Sequence, residues 1–584
     1  MKKHIIYFIS IIALTFSVQS CSDYLEEDNP NNISADIYWS NLEETDANLT
    51  SVYGAMLNHF ILFYNVESWR SDIAYPKFRT SPLGTGQPWY YKTFSNTNKE
   101  VSQRWDAMYQ VIFRANQVIE GLNNMDEEYK SDARWTEQMG QARFFRGLVH
   151  FYLHSSYNEG KIVIRESVPG NAEEFSKPVS SSEEVIAFFR EDLQYAYENL
   201  PAQFEQKSRV TAGTAATILG KSYLYTEEYE KAKEYLSDVI NNGAYGYRLL
   251  EGDEVNLLFT SAGDYNDESI FELNYSAVQQ TEETQWDEES FFTRWARYTA
   301  PTGIIQGASE FVPAAWLTYE YSTEPLDSQD NRNYVDDGAG GLKLRDIPLR
   351  GAKMIAVVND NQSEYYKYAA ANQVVGFTNT IFSNFKKFTN HDIVTKEPEV
   401  GDSPWKSGKN VVVNRLADVY LMYAECLIKT GDIDGALKYI NKIRQRWGLV
   451  LLGEDDGSGH DFNGVTYTEE TLMEQLMFVE RPLELACEGF DTRTIDLRRW
   501  GVTKQRFEDL AALDFNLIDY SYTTEEGTTA KRAASLLQLG LSEDPSNNKI
   551  TIKEYVQAAA NYNEGLHGYL PLPLTEVLNN SNVN

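Results

Sequence analysis

The residues with the most chemical potential in this chain are aromatic. Eleven Trp and 38 Tyr exceed what a helical core needs, and many fall in segments without helical periodicity. Trp69, Trp89, Tyr90 and Tyr91 lie in one such segment, and Trp286, Trp295 and Trp316 in a later one. Flat rings stack on the apolar faces of sugar rings, and they lose little entropy because few bonds rotate. Neighbouring Asp, Asn and Arg would then exchange hydrogen bonds with hydroxyls. The alternative for each ring is burial against whatever layer the helices form.

Other motifs fail on spacing. Gly220, Lys221 and Ser222 suggest a phosphate loop, but the upstream glycine position is Ala215 and no strand precedes. His150 and His154 stand four apart as in zinc peptidases, yet Phe151 occupies the place of the essential Glu. Between Gly453 and Glu470, residues Asp455, Asp456, Asp461 and Asn463 suit calcium in composition without EF-hand spacing. A solvated loop is the plainer reading there. No cofactor is called for, a structural calcium in that loop being the one candidate. Among 86 acidic residues, a glycosidase pair of carboxylates cannot be singled out.

Charge narrows the partners. The formal charge is −34 and becomes more negative once Lys2 and Lys3 are removed. Nucleic acid and anionic lipid need a basic footprint, so neither is expected. Strongly anionic ligands are disfavoured too, unless a local basic patch overcomes the field. Cys426 and Cys487 sit on helical faces among apolar neighbours and read as buried thiols, not as a disulfide scaffold.

The N-terminus reads as an export signal. Lys2 and Lys3 precede the apolar run Ile5 to Val18, which is too short to span a bilayer, so residues 1–20 form a signal peptide. "VQSC" resembles a lipobox, making Cys21 the lipidated first residue of the mature chain. Each buried methylene of such an anchor contributes about 0.8 kcal/mol. The acidic stretch "SDYLEED" that follows resembles a surface-export signal of Bacteroidetes lipoproteins.

Helices must position the ring-bearing segments. Leu416, Val419, Tyr420, Tyr423 and Leu427 recur at helical spacing, as do Ile433, Leu437, Ile440, Ile443 and Trp447. Gly431 can end the first helix in the left-handed conformation, and Asp432 can cap the second. Such a hairpin cannot bury its apolar face alone and must stack on others, as in tetratricopeptide layers. "AGTAATILGKSYLYTEEYEKAKEYLSDVINNG" is a second pair, turning near Glu227 and Glu228. Helices are also expected after Ser34, over Arg104 to Leu122 and Gln141 to Leu153, and from Ser181 or Ser182 to Pro201. From Tyr245 to about Asn410 no long helix is secure.

The C-terminal motifs carry a resemblance. Arg415 to Glu425, Ala436 to Arg446, Glu480 to Gly489, Asp496 to Gly501 and the "LPLP" at Leu570 resemble the signature of the SusD/RagB family of outer-membrane nutrient-binding lipoproteins. Two departures stand out. Pro482 interrupts an expected helix, predicting a kink or restart, and Phe490-Asp491 replaces the usual Arg plus aromatic. The resemblance implies an all-α-dominated, tetratricopeptide-like fold with a loop-rich, irregular ligand-binding region. One domain would run over 21–584: helical to 244, variable over 245–410, and the family C-terminal part over 411–584. It also implies a non-catalytic, surface-exposed protein, lipid-anchored at the cell outer membrane, that captures oligosaccharide or polysaccharide for a SusC-like TonB-dependent transporter. The family's aromatic arc maps onto Trp89 with Tyr90, and onto Trp286, Trp295 and Trp316; Asp72 falls near a position that can contact sugar hydroxyls. Trp39, Trp105, Trp447 and Trp500 fall in family helical motifs and are assigned to core. Glu480, Arg481 and Glu488 would form a structural ion network. The rival classes are a RagB-type peptide binder and a glycoside hydrolase.

Overall fold

The computed structural model describes residues 39–79, 83–278, 291–400, 406–524 and 526–583. The signal peptide, Cys21, Ser34 and Trp286 lie outside the described residues. Among the described residues, no helix is long and apolar enough to cross a membrane.

Helical hairpins form the frame. Leu42–Met56 packs on Lys99–Asn123, which packs on Ala133–Ser156, followed by Ser182–Asn199, Ala212–Tyr225 and Tyr229–Asn241. The last of these meets Leu416–Lys429, which pairs with Ile433–Arg446. The caps explain the boundaries. Ser181 and Glu184 satisfy each other's backbone N–H in a capping box, and Asp432 accepts from the Gly435 N–H at 2.9 Å. Gly431 ends its helix at a φ of 85°. The first described helix is capped by Asn41. Gly220 allows close approach within its hairpin: a Cβ there would lie 2.7 Å from Leu236 Cδ2. The glycine of the false phosphate loop is therefore a packing residue, and Lys221 pairs with Asp418 at 2.9 Å, tying one hairpin to the next.

Between these ends the described chain is irregular, its longest described helix being Ala315–Thr323. A strand over Ser269–Leu273 pairs antiparallel with Val411–Arg415 and ties this region to the family motifs. A C-terminal sheet of Phe515–Thr523, Thr529–Leu539 and Ile550–Ile552 is an element the helical reading passes over. Pro482 is accommodated as expected. The helix Glu469–Gln475 widens into a π segment over Leu476–Glu480, and Arg481–Leu485 restarts with the proline in its first turn.

The family motifs meet in a buried ion network. Arg415 reaches Glu268 at 2.9 Å, Glu484 at 2.7 Å and Glu488 at 2.6 Å. Arg446 binds Glu268 and Glu484, and Arg444 binds Glu480 at 2.5 Å. Arg481 pairs with Asp496 at 2.7 Å and with Asp418. Phe490-Asp491 forms its own contact. Phe490 stacks face to face on Tyr152 at 3.9 Å, while Asp491 receives Arg104 and Arg70 from the N-terminal part. Cys426 and Cys487 are free and buried.

Candidate functional site

The two ring-bearing segments do come together. Strand Ala74–Pro76 pairs antiparallel with Phe311–Pro313, Tyr75 opposite Val312. The Ala314 N–H donates to the Ile73 carbonyl at 2.8 Å, and the Trp316 indole N–H donates to the Asp72 carbonyl. Gly86 lets the first segment fold tightly, since a Cβ there would lie 2.5 Å from Pro76 and 2.9 Å from Trp69.

The junction buries most of the expected rings, which corrects the sequence assignment. Trp89 is 1% exposed and stacks on Phe94 at 4.7 Å. Tyr90 is equally covered, and its hydroxyl accepts from the Tyr555 N–H at 2.8 Å. Trp295 packs edge-on against Tyr64 at 5.4 Å, and the Arg506 guanidinium covers Trp316 at 4.2 Å. Asp72 is fully buried between Arg493 at 2.7 Å and Arg506 at 2.8 Å. Burial alone would raise its carboxyl, but the two guanidinium groups hold it well below the usual range. Asp72 therefore anchors the junction and cannot meet a sugar hydroxyl. The physical reason is shared: a large ring gains most by covering itself, and these rings pack against one another's segments and against C-terminal residues such as Arg506 and Tyr555.

What stays open is a rim of tyrosines. Tyr75 and Tyr91 are half-buried and flank Tyr90, at ring distances of 4.5 Å and 5.9 Å. Burial, with Glu554 and Tyr91 nearby, pushes the Tyr75 phenol up to about 12, so it stays neutral and can donate. Tyr298 is half-buried beside Trp295. Lys77 and Glu310 join the same edge through the Lys77 N–H to the Glu310 carbonyl at 2.7 Å. Burial raises the Glu310 carboxyl while Lys77 and Arg297 oppose it. Half-open phenols with mixed charges can stack on sugar faces and exchange hydrogen bonds with hydroxyls. Tyr75 escaped the sequence reading because its strand is three residues long, too short for its outward alternation between the buried Ala74 and Pro76 to show in the sequence.

The two histidines are structural. His150 is fully buried, its Nδ1 2.8 Å from the Arg146 carbonyl, and His154 meets the Ser182 hydroxyl at 2.8 Å. Asp455 and Asp456 accept from the Gly457 and Ser458 N–H groups within their own turns. Among the described residues, no cluster of three or more His, Cys, Asp or Glu is placed to hold a metal. A cleft of about 750 Å³ lies between the helical hairpins and the C-terminal tail. Its Arg499 is consumed by Glu425 and Asp496, and its Arg498 stacks on Tyr569 at 3.6 Å.

Comparison with known proteins places this architecture. Residues 267–584 match the family model described as the SusD family, and residues 23–224 match one described as starch-binding associating with outer membrane. A SusD-like protein of Formosa agariphila is 24% identical over 525 residues, spanning 86% of this chain and 91% of its own. A SusD-like protein of Bacteroides ovatus is 26% identical over 470 residues, covering 75% of each chain. The solved SusD superfamily protein of Bacteroides vulgatus superposes with a TM-score of 0.70 at 22% identity, over 94% of this chain and 99% of that one. A laminarin-binding SusD-like protein superposes with a TM-score of 0.64 at 21% identity, over 93% and 99%. The helical hairpins, the buried ion network and the match across more than half its length show that this chain belongs to the SusD family.

Proposed function

We propose that the protein is a cell-surface glycan-binding lipoprotein, tethered to the outer membrane through Cys21. It captures oligosaccharide or polysaccharide without cleaving it and passes it to a SusC-like TonB-dependent transporter. The observation that carries this reading is the pairing of Ala74–Pro76 with Phe311–Pro313, which joins two distant segments and leaves Tyr75 and Tyr91 half-open at their edge. The starch-binding description of the family model over residues 23–224 and the laminarin-binding structural neighbour support the ligand class. Stacking on a shallow, hydrated surface offsets desolvation only in part, so each contact is weak to moderate.

Affinity electrophoresis against a polysaccharide panel tests it, with Tyr75→Ala, Tyr91→Ala and Trp286→Ala beside the parent protein. The expected outcome is retardation by at least one polysaccharide, reduced in these variants, at unchanged melting temperature. Indifference to every polysaccharide together with protection of peptides from the medium would favour a RagB-type peptide binder. Release of reducing ends, abolished by one carboxylate substitution, would make the protein a hydrolase.

A further inference from the structure

A pocket of about 460 Å³ opens between the turn Gly252–Leu257, the helix Leu349–Met354 and residues 362–364. Four cations line it: Arg332, Arg345, Lys353 and Lys386. Two are already answered, Arg332 by Asp330 at 2.5 Å and Lys386 by Asp360 at 3.5 Å. Arg345 and Lys353 are not. Among the described residues neither has a carboxylate at ion-pair distance, and both donate to backbone: Arg345 Nε to the Ile347 carbonyl at 2.6 Å, Lys353 Nζ to the Asn256 carbonyl at 2.7 Å. Asp253 and Glu364 also line the pocket, but both are exposed to solvent.

Burial and nearby lysines both disfavour the charged form of two groups lining the pocket. Burial, with repulsion from Lys409 and Lys386 and against the pull of Asp392, pushes Lys353 down to about 7, and an anion bound beside it would restore its charged form. Burial and the same lysines, with Lys353 itself, push His391 well below its ordinary value. In a chain of charge −34, four cations lining one pocket are a local concentration of positive side chains. Solvent screening confines the surrounding acidic field to about 8 Å, so a recessed cationic pocket can act on its own. Asp360 acts on Arg345 and Asp392 on Lys353 only from beyond ion-pair distance, which leaves close pairing unrealised, and a ligand oxyanion supplies it.

The geometry points to this pocket as a subsite for a compact oxyanion, with Arg345 able to donate a forked pair of hydrogen bonds and Lys353 supplying a point charge. Resting on the glycan reading above, the ligand is an acidic saccharide, its anion either the carboxylate of a uronic acid or a sulfate ester.

Isothermal titration of the full mature chain in detergent tests this with four probes: a galacturonate trisaccharide, a sulfated galactan trisaccharide, a neutral β-glucan oligosaccharide and inorganic sulfate. Arg345→Gln and Lys353→Gln are measured alongside, with melting temperature as the folding control. At least one acidic saccharide should bind, each variant should weaken it by about tenfold or more, and neutral glucan should be unaffected. Which acidic probe binds identifies the anion. The inference is overturned if neither acidic saccharide binds, or if one binds equally well to both variants. Binding of the neutral glucan in that case keeps glycan capture intact and discards only the acidic subsite. Sulfate binding that the variants abolish, with every saccharide inert, discards the saccharide assignment, and the polysaccharide panel above then decides the glycan reading separately.

Discussion

Replacing Trp316 by Ala separates a core ring from a ligand platform. The indole is 5% exposed, lies beneath the Arg506 guanidinium at 4.2 Å and donates to the Asp72 carbonyl. Truncating a buried Trp costs about 3–5 kcal/mol through lost transfer energy and the cavity left behind. Loss of the cation–π contact and the donated hydrogen bond keeps the change near the upper end of that range, at roughly 4–5 kcal/mol. A chain of 584 residues melts with an entropy of about 1.2 kcal/mol/K, so the midpoint should fall by about 3–4 °C. Tyr91→Ala removes a half-buried ring and should move the midpoint by less than about 1 °C. Calorimetry of both variants, run beside affinity electrophoresis, gives opposite expected patterns: Trp316→Ala loses stability, Tyr91→Ala loses retention. A Trp316→Ala protein that melts like the parent yet no longer binds polysaccharide would refute the assignment of this ring to the core.

The other expectations follow from buried charge and from the anchor. Glu484 is buried among Arg415, Arg446 and Arg350 and also accepts from the Trp447 indole, so Glu484→Gln should destabilise by about 3–5 kcal/mol in urea titrations; a loss under about 1 kcal/mol would show the network to be dispensable. Asp72 titrates lower in the folded state than its ordinary 3.8, so its stabilisation is fully present above about pH 4 and lost as pH falls below it. The melting gap between parent and Asp72→Asn should therefore narrow between pH 5 and about pH 2, and a gap independent of pH would contradict the pairing. Cys21→Ala should leave the protein out of the membrane fraction on cell fractionation, and its retention there would remove the anchor from the proposal.

The helical frame was readable because its signals are local. Leu416 to Trp447 shows its period, its left-handed Gly431 and its Asp432 cap within 35 residues, and each of these forms as expected. Pro482 likewise announces the restart that the π segment before it makes possible. The junction was not readable, because its partners are remote and short. Ala74–Pro76 finds Phe311–Pro313 across more than 200 positions with three residues on each side, too few to show alternation. The fate of the indoles depends on those same remote contacts. Nothing near Trp316 or Asp72 in sequence foretells that Arg506 will cover both, and ring-rich segments look alike whether they fold inward or outward. The C-terminal sheet did carry a local signal. Phe515, Leu517, Tyr520 and Tyr522 fall on nearly alternate positions, which a search for helical spacing overlooks.

The ion network explains why family and ligand are written on different residues. Arg415, Glu480, Arg481, Glu488 and Asp496, five of the charged positions in the recognisable motifs, are buried and paired with other motif residues such as Asp418 and Arg444 or with Glu268. Removing one member of such a set strands a charge in the interior, so each position is held by stability whatever the protein binds. Asp491 extends the constraint across the chain, fastening the C-terminal motifs to Arg104 and Arg70. The residues free to meet a ligand lie outside these motifs, with Tyr75 and Tyr91 at the junction rim and Arg345 and Lys353 in the cationic pocket. Substitution at those four positions strands no buried ion, so binding can change there while the frame stays intact. Glu484→Gln should accordingly lower the melting point of the protein without altering which saccharide it prefers, and Tyr91→Ala or Lys353→Gln should do the reverse.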